Sequence, residues 1–237
     1  MLDFSRRSYE PEMMDAPNVD TKLLHKNLRE LETINILTGG PRLTFDTLKK
    51  LLKGTQKKEI TLVDVGYGAG DFLSYVVKHA HLLPCQVKLI GVDYSPQVKA
   101  YIDTYHPELL DKVEFIAADY RDYFRQGQPM DIVTAGLFCH HLNDEELGEF
   151  LRYVRQYARV GAIINDLHRH KVAYYGIKYL TAIFSSSVLT QNDAPLSVLR
   201  GFTQKEWKDI LAQAQIKKAD IDWKWAFRHL ITIKNGQ

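Results

Sequence analysis

At 237 residues, with 45% apolar and 25% charged side chains, the chain is long enough for one substantial core and short for two independent α/β domains. A net charge of +2, with Lys and Arg scattered among acids, gives no electrostatic footprint for nucleic acid, and none is expected as a partner. Two cysteines without C-x-x-C spacing, no secretory apolar region after Met1 and no uncharged run of membrane-spanning length make a reducing cytoplasm the expected setting.

Residues 1–20 mix charge with Pro11, Pro17 and the pair Met13-Met14, which predicts an irregular start. From Asp20, a plausible N-cap, Leu23, Leu24, Leu28, Leu31, Ile34 and Leu37 recur at three and four and predict an amphipathic helix that stops at Gly39-Gly40-Pro41. A second helix is expected from about Thr44 to Leu52. These helices either cover one face of a sheet or also close over a ligand, with Tyr9, Met13, Met14 and Asn35 facing it. Residues 1–55 are therefore read as a helical cap on a domain spanning 56–237.

The next stretch organises the rest. Ile60, Thr61, Val63 and Val65 form a β-branched run, Gly66, Gly68 and Gly70 follow at alternate positions, and Phe72, Leu73, Val76, Val77 and Ala80 then recur at helical spacing. Strand, tight glycine turn and helix start together make a cradle where backbone can approach a ligand and free N–H groups face it. Asp71 in place of a further glycine suits a pyrophosphate poorly, so a dinucleotide fits less well than a ligand bearing a carboxylate, an ammonium and a sulfonium.

Val87–Asp93 predicts a second strand ending in an acid, where a carboxylate can accept both hydroxyls of a ribose or cap the helix starting at Ser95-Pro96. A third strand, Val113–Ala117, ends at Ala118-Asp119-Tyr120, an acid suited to an exocyclic amine beside a ring suited to stacking. Met130–Gly136 is a fourth strand, followed by Leu137-Phe138-Cys139-His140-His141-Leu142 and a helix from Asn143 with Glu146 as its reciprocal capping partner, ended by Gly161. The fifth strand, Ala162–Leu167, carries His168-Arg169-His170 at its tip. Residues 171–190 are apolar and aromatic and read as a core helix or as a lid over a greasy substrate, the lid insertion taken as 171–200. Asn192-Asp193-Ala194-Pro195 predicts a turn, Thr203 caps a helix to about Ala214, and Ala219–Asp222 and Phe227–Ile233 predict a closing hairpin. The alternation implies an α/β fold: a Rossmann-like, doubly wound, mainly parallel sheet of about seven strands with an antiparallel edge hairpin and an N-terminal helical cap.

Four motifs in this order, Val63-Asp64-Val65-Gly66-Tyr67-Gly68-Ala69-Gly70, Gly91-Val92-Asp93-Tyr94-Ser95, Ala117-Ala118-Asp119-Tyr120, and Asp131-Ile132-Val133 with Leu137–Leu142, resemble those of class I S-adenosylmethionine-dependent methyltransferases. The resemblance covers about residues 60–165. It implies S-adenosylmethionine (SAM) as cofactor and S-adenosylhomocysteine (SAH) as product. Gly66, Gly68 and Gly70 would cradle the methionine part, Asp64 would lie near its ammonium, Asp93 on the ribose with Tyr94 and Ser95 alongside, Ala118, Asp119 and Tyr120 at the adenine, and Leu137 and Phe138 beside the sulfonium. Tyr67 departs from the smaller residue many relatives carry. More loosely, Asn165–His170 with Ala173-Tyr174-Tyr175 and Asp193–Ser197 is similar to bacterial methyltransferases associated with type III polyketide synthases and with quinone or phenolic lipid formation.

These features imply methyl transfer to a small aromatic or lipophilic acceptor, O-methylation of a phenol or quinol first and C-methylation next. A phenol needs a base, a role worth about 10² to 10⁴ in rate. His141, then His140, are the candidates, with Asp166 orienting an imidazole or the substrate and His168 nearby. Adjacent histidines rarely point at one ion, so no metal is expected. A partner-dependent, non-catalytic SAM-binding domain and a nicotinamide-dependent oxidoreductase are the alternatives. The sequence leaves the acceptor and the oligomeric state open.

Overall fold

The computed structural model describes residues 3–235. Seven strands form one sheet in the order β3-β2-β1-β4-β5-β7-β6. β1 (Glu59–Val65), β2 (Gln86–Asp93), β3 (Val113–Ala117), β4 (Met130–Gly136) and β5 (Ala158–Leu167) run parallel, while β6 (Ala219–Lys224) and β7 (Arg228–Lys234) form the antiparallel hairpin, with β7 paired to β5. The order reverses direction between β1 and β4, so their carboxyl ends flank a crevice, the usual ligand position in such sheets.

The central strands are apolar on both faces because helices cover both. One face packs Val63, Val65, Val133, Ala162 and Ile164 with Phe150, Leu151 and Trp207; the other packs Leu62, Leu89, Ile132 and Ile163 with Leu48, Leu73 and Ile102. α1 (Thr21–Leu37) begins at Asp20, whose side chain accepts from the N–H groups of Lys22 and Leu23. α2 (Gly40–Leu51) starts earlier than its apolar pattern suggests, because Gly39 turns left-handed (φ +77°) and Pro41 fits a first helical turn. α3 (Asp71–His79), α4 (Pro96–Tyr105), α5 (Tyr120–Arg125) and α6 (Asp144–Tyr157) follow the first four strands, α6 with the expected Asn143–Glu146 capping box.

Three expectations are corrected. Gly161 does not end α6, which stops at Tyr157; it lies in β5, where a Cβ would meet the Ile233 carbonyl oxygen at 2.0 Å. The apolar stretch after β5 is two helices, α7 (Lys171–Phe184) and α8 (Val188–Arg200), broken at the serines rather than at Asp193–Pro195. Ser187 caps α8 through the Thr190 N–H, and the helix continues through Pro195. α9 (Gln204–Gln213) closes the helical set from its Thr203–Glu206 capping box. Among the described residues no helix is long and apolar enough to cross a membrane.

Candidate active site

The glycine turn takes the predicted shape. Gly66, Gly68 and Gly70 all have positive φ (+67°, +49° and +77°), and a Cβ on Gly66 would lie 2.4 Å from the Phe138 ring. Leu137, at the end of β4, is also left-handed (φ +52°), a strained state held by its N–H bond to the Asn165 carbonyl at 2.9 Å. Tyr67 packs its ring on Phe115, 5.0 Å between centroids, over Gly91, where a Cβ would come within 2.8 Å of it. That glycine makes room for the larger residue in the loop.

At the tip of β2, Asp93 accepts from the Gly68 N–H (3.3 Å) and the Ser95 N–H (3.0 Å), so it ties the glycine loop to the start of α4. Burial raises its carboxyl to about 6. Tyr94 beside it is exposed, and Ala118 donates its N–H to the Asp93 carbonyl. Asp119 caps α5 and is gripped by Arg121 Nε and Nη2 at 2.9 and 2.7 Å, which holds its carboxyl below the usual range. Tyr120 is placed otherwise than expected for a base-stacking ring. It is buried edge-on against Phe138, Phe150 and Phe124, because it occupies the inward position of α5's first turn.

A polar cavity lies between the starts of α2 and α3, the tip of β4 and β7, lined by Asn35, Asp64, Asp71, Asn165 and Arg228 among others. Asp64 is buried, accepts one hydrogen bond from Thr134 Oγ1 at 2.6 Å, and has no cation in reach among the described residues. Burial raises its carboxyl to about 7, and that of Asp71, which accepts from Asn35 Nδ2, to about 6. Arg228 reaches in from β7 and donates through Nη2 to Asn35 Oδ1 (2.9 Å) and Thr38 Oγ1 (3.0 Å). Its Nε and Nη1 are buried without partners, and so is Asn165 Oδ1. Burial lowers the guanidinium to about 10, still charged at neutral pH. A buried carboxylate without a cation and a guanidinium with two free N–H groups in one cavity complement a zwitterion. Neither Arg228 nor Asn165 was singled out as a ligand-binding residue from sequence.

A second cluster lies beyond the β4 and β5 tips. His140 Nδ1 is 2.7 Å from Asp166 Oδ1, and Asp166 also accepts from the His140 and Leu167 N–H groups. His141 Nδ1 is 2.9 Å from Asp15 Oδ2. Burial opposes charge on His141, but Glu12 and Asp15 outweigh it and raise the imidazole to about 9. Glu12 is buried between them, accepting from Ser197 Oγ at 2.9 Å with Arg200 Nε 3.6 Å away. The N-terminal strap that brings Glu12 in is fastened along its length: Arg7 donates to the Leu142 carbonyl, and Asp193 accepts the N–H groups of Met13 and Met14. Asn35 faces the cavity as expected, whereas Tyr9 turns outward to Asp144 and Met13 is exposed. His168 does not join His140 and His141. It accepts from Trp223 Nε1 and packs with His170, His229 and Phe227, because its place at the end of β5 turns it toward the β6–β7 hairpin.

Residues 62–161 match the model of a family described as a methyltransferase domain. That stretch is thus similar to a methyltransferase domain. Its fold is similar to that of the plantazolicin methyltransferase BpumL in complex with SAH, at TM-score 0.66 and 15% identity, over 91% of this chain and 95% of that one. It is also similar to human N-acetylserotonin methyltransferase in complex with SAM (TM-score 0.61, 14% identity, 98% of this chain and 63% of that one). The CurJ carbon methyltransferase matches at TM-score 0.59 and 18% identity, over 83% and 54%. At such identities the likeness establishes the fold, as the four sequence motifs implied. No curated protein matches the sequence.

Proposed function

We propose that the chain binds SAM across the glycine turn and transfers its methyl group to a small aromatic or lipophilic acceptor, an oxygen of a phenol or quinol first and carbon next. The observation that carries this reading is the cavity in which Asp64 has no cation in reach among the described residues and Arg228 leaves Nε and Nη1 without hydrogen-bond partners. A methionine moiety brings an ammonium for the buried Asp64 carboxylate and a carboxylate for the free Nε and Nη1 of Arg228, and so satisfies both at once. Asp93 stands at the β2 tip for a ribose, and Ala118 and Asp119 at the β3 tip for the base. Leu137 and Phe138 wall the turn. The bound cofactor supplies an already activated methyl group, so the protein's contribution is alignment in a dry crevice.

The proton of a hydroxyl acceptor is assigned to the histidine cluster. Asp166 fixes the tautomer of His140, whose Nε2 is then the open face, while His141, raised to about 9, holds its proton at neutral pH. The exposed apolar side of α7, with Tyr175, Tyr179, Leu180, Ile183 and Phe184, supports a lipophilic acceptor. Its neighbours in fold act on varied acceptors by their names, plantazolicin and N-acetylserotonin among them, and one is a carbon methyltransferase. A nicotinamide oxidoreductase is disfavoured because a pyrophosphate would face the Asp64 and Asp71 carboxylates. Calorimetry with SAM, SAH and NADH, followed by labelled-methyl transfer to a panel of phenols and quinols, tests the reading. Binding of NADH alone rejects it. SAM binding without transfer to any acceptor favours the non-catalytic alternative.

A further inference from the structure

The adjacent histidines do what adjacent histidines rarely do. Their rings lie 4.3 Å apart between centroids, and each Nδ1 is held by a different aspartate, Asp166 for His140 and Asp15 for His141. Both Nε2 atoms therefore turn to the same side, where the Glu12 carboxylate waits: His140 Nε2 is 3.7 Å from Oε1 and His141 Nε2 is 3.9 Å from Oε2. These separations are too long for hydrogen bonds, and neither Nε2 has another hydrogen-bond partner among the described residues. They are close to the spacing of about 3.3 Å between two ligands of one tetrahedral ion with metal–ligand bonds of about 2.0 Å. The three donor atoms all lie within 4.8 Å of one another.

We propose that Glu12, His140 and His141 form a binding site for one divalent transition-metal ion of the zinc class. Two imidazoles and a carboxylate are a borderline donor set with room for an exogenous fourth ligand. The surroundings match what such ligands need. Each imidazole donates through Nδ1–H to a carboxylate, which leaves Nε2 as the ligating atom once an ion displaces the proton His141 otherwise holds there. The Glu12 carboxylate is positioned as well: Ser197 and Arg200 both address Oε1, leaving Oε2 toward His141. Three carboxylates, Glu12, Asp15 and Asp166, face the single Arg200 guanidinium there, while Arg7 is paired with Asp144, so the local field favours a cation. The site is a feature of this chain's N-terminal strap, which supplies Glu12. It deepens the reading of the histidine cluster as the group that handles the acceptor's hydroxyl, since an ion at its open position would acidify that hydroxyl. The binding claim itself does not rest on SAM.

The test uses the full chain, stripped with a chelator and titrated with Zn²⁺ against a chromophoric competitor and with Co²⁺ followed by its visible d–d bands. One equivalent of Zn²⁺ and Co²⁺ bands of a four- or five-coordinate ion are expected. His140→Ala and Glu12→Gln should each weaken Zn²⁺ at least about tenfold, and Asp15→Asn and Asp166→Asn about 10- to 100-fold. His170→Ala, outside the cluster, should leave it unchanged. Circular dichroism identifies folded variants, and SAH calorimetry run in parallel reports the cofactor reading separately. No stoichiometric metal in the wild type overturns the proposal, as does wild-type Zn²⁺ affinity in folded Glu12→Gln and His140→Ala proteins. Either result would make the cluster an ion-pair clasp that fastens the strap.

Discussion

Replacing Asp64 by Asn should stabilise the ligand-free protein and cripple cofactor binding, two effects of opposite sign from one atom pair. Asp64 has a single hydrogen-bond donor, Thr134, and burial raises its carboxyl from an ordinary 3.8 to about 7. A shift of about three pH units corresponds to roughly 4 kcal/mol of disfavoured charge. Because the folded value lies above the unfolded one, this penalty is absent below about pH 4, grows as the pH rises toward 7, and is complete above it. Asn keeps the acceptor for Thr134 and removes the charge. At pH 8 the unliganded variant should therefore melt several degrees higher than the wild type, by about 16 °C at most, and at pH 4 the two should coincide. The ammonium of the ligand meanwhile loses its counter-charge, at about 2–5 kcal/mol, or roughly 30- to 5000-fold in affinity. Thermal melts at both pH values with and without SAH, together with calorimetry, measure both effects. Equal melting points at pH 8, or an SAH affinity within threefold of wild type, would refute the assignment of Asp64 as a charge awaiting a cation.

Arg228→Met should weaken SAH about 10- to 150-fold yet leave 5′-methylthioadenosine, which has no amino-acid group, unaffected; equal losses for both ligands in competition binding would remove Arg228 from the carboxylate site. Gly66→Ala forces a side chain into a left-handed position 2.4 Å from Phe138, and a destabilisation of about 1–3 kcal/mol with loss of the SAH-induced melting shift is expected in denaturant and thermal titrations. On α7, Tyr179→Ser and Ile183→Ser alter exposed positions, so stability should stay within about 0.5 kcal/mol, while KM for a lipophilic acceptor rises and that for SAM does not. An unchanged acceptor KM would separate α7 from the substrate.

The parts of the fold legible in the sequence are those set by local pattern. The β-branched run before Gly66, the alternating glycines and the acids ending two strands place the crevice, because strand, turn and helix each follow from neighbouring residues. Pro195 misleads because the signal for a turn is local, whereas the grip of Asp193 on Met13 and Met14 is tertiary. Tyr120 misleads for a related reason: an aromatic ring at a strand tip suits a base as well as a core, and the helical turn of α5 decides for the core. Arg228, Glu12 and Asp15, which complete the two clusters, were beyond reach. Arg228 meets Asn35 across 193 positions, and Glu12 reaches His140 and His141 only because the N-terminal strap folds back over α8. No spacing rule links such pairs, so a sequence pattern identifies His140, His141 and Asp166 without revealing what faces them.

A crystal structure of the complex with SAH tests the central claim most directly. The amino group is predicted beside the Asp64 carboxylate, the carboxylate on Nε and Nη1 of Arg228, and the ribose hydroxyls on Asp93. Density for the ligand away from the glycine turn, or a methionine moiety that leaves Asp64 and Arg228 without partners, would contradict it.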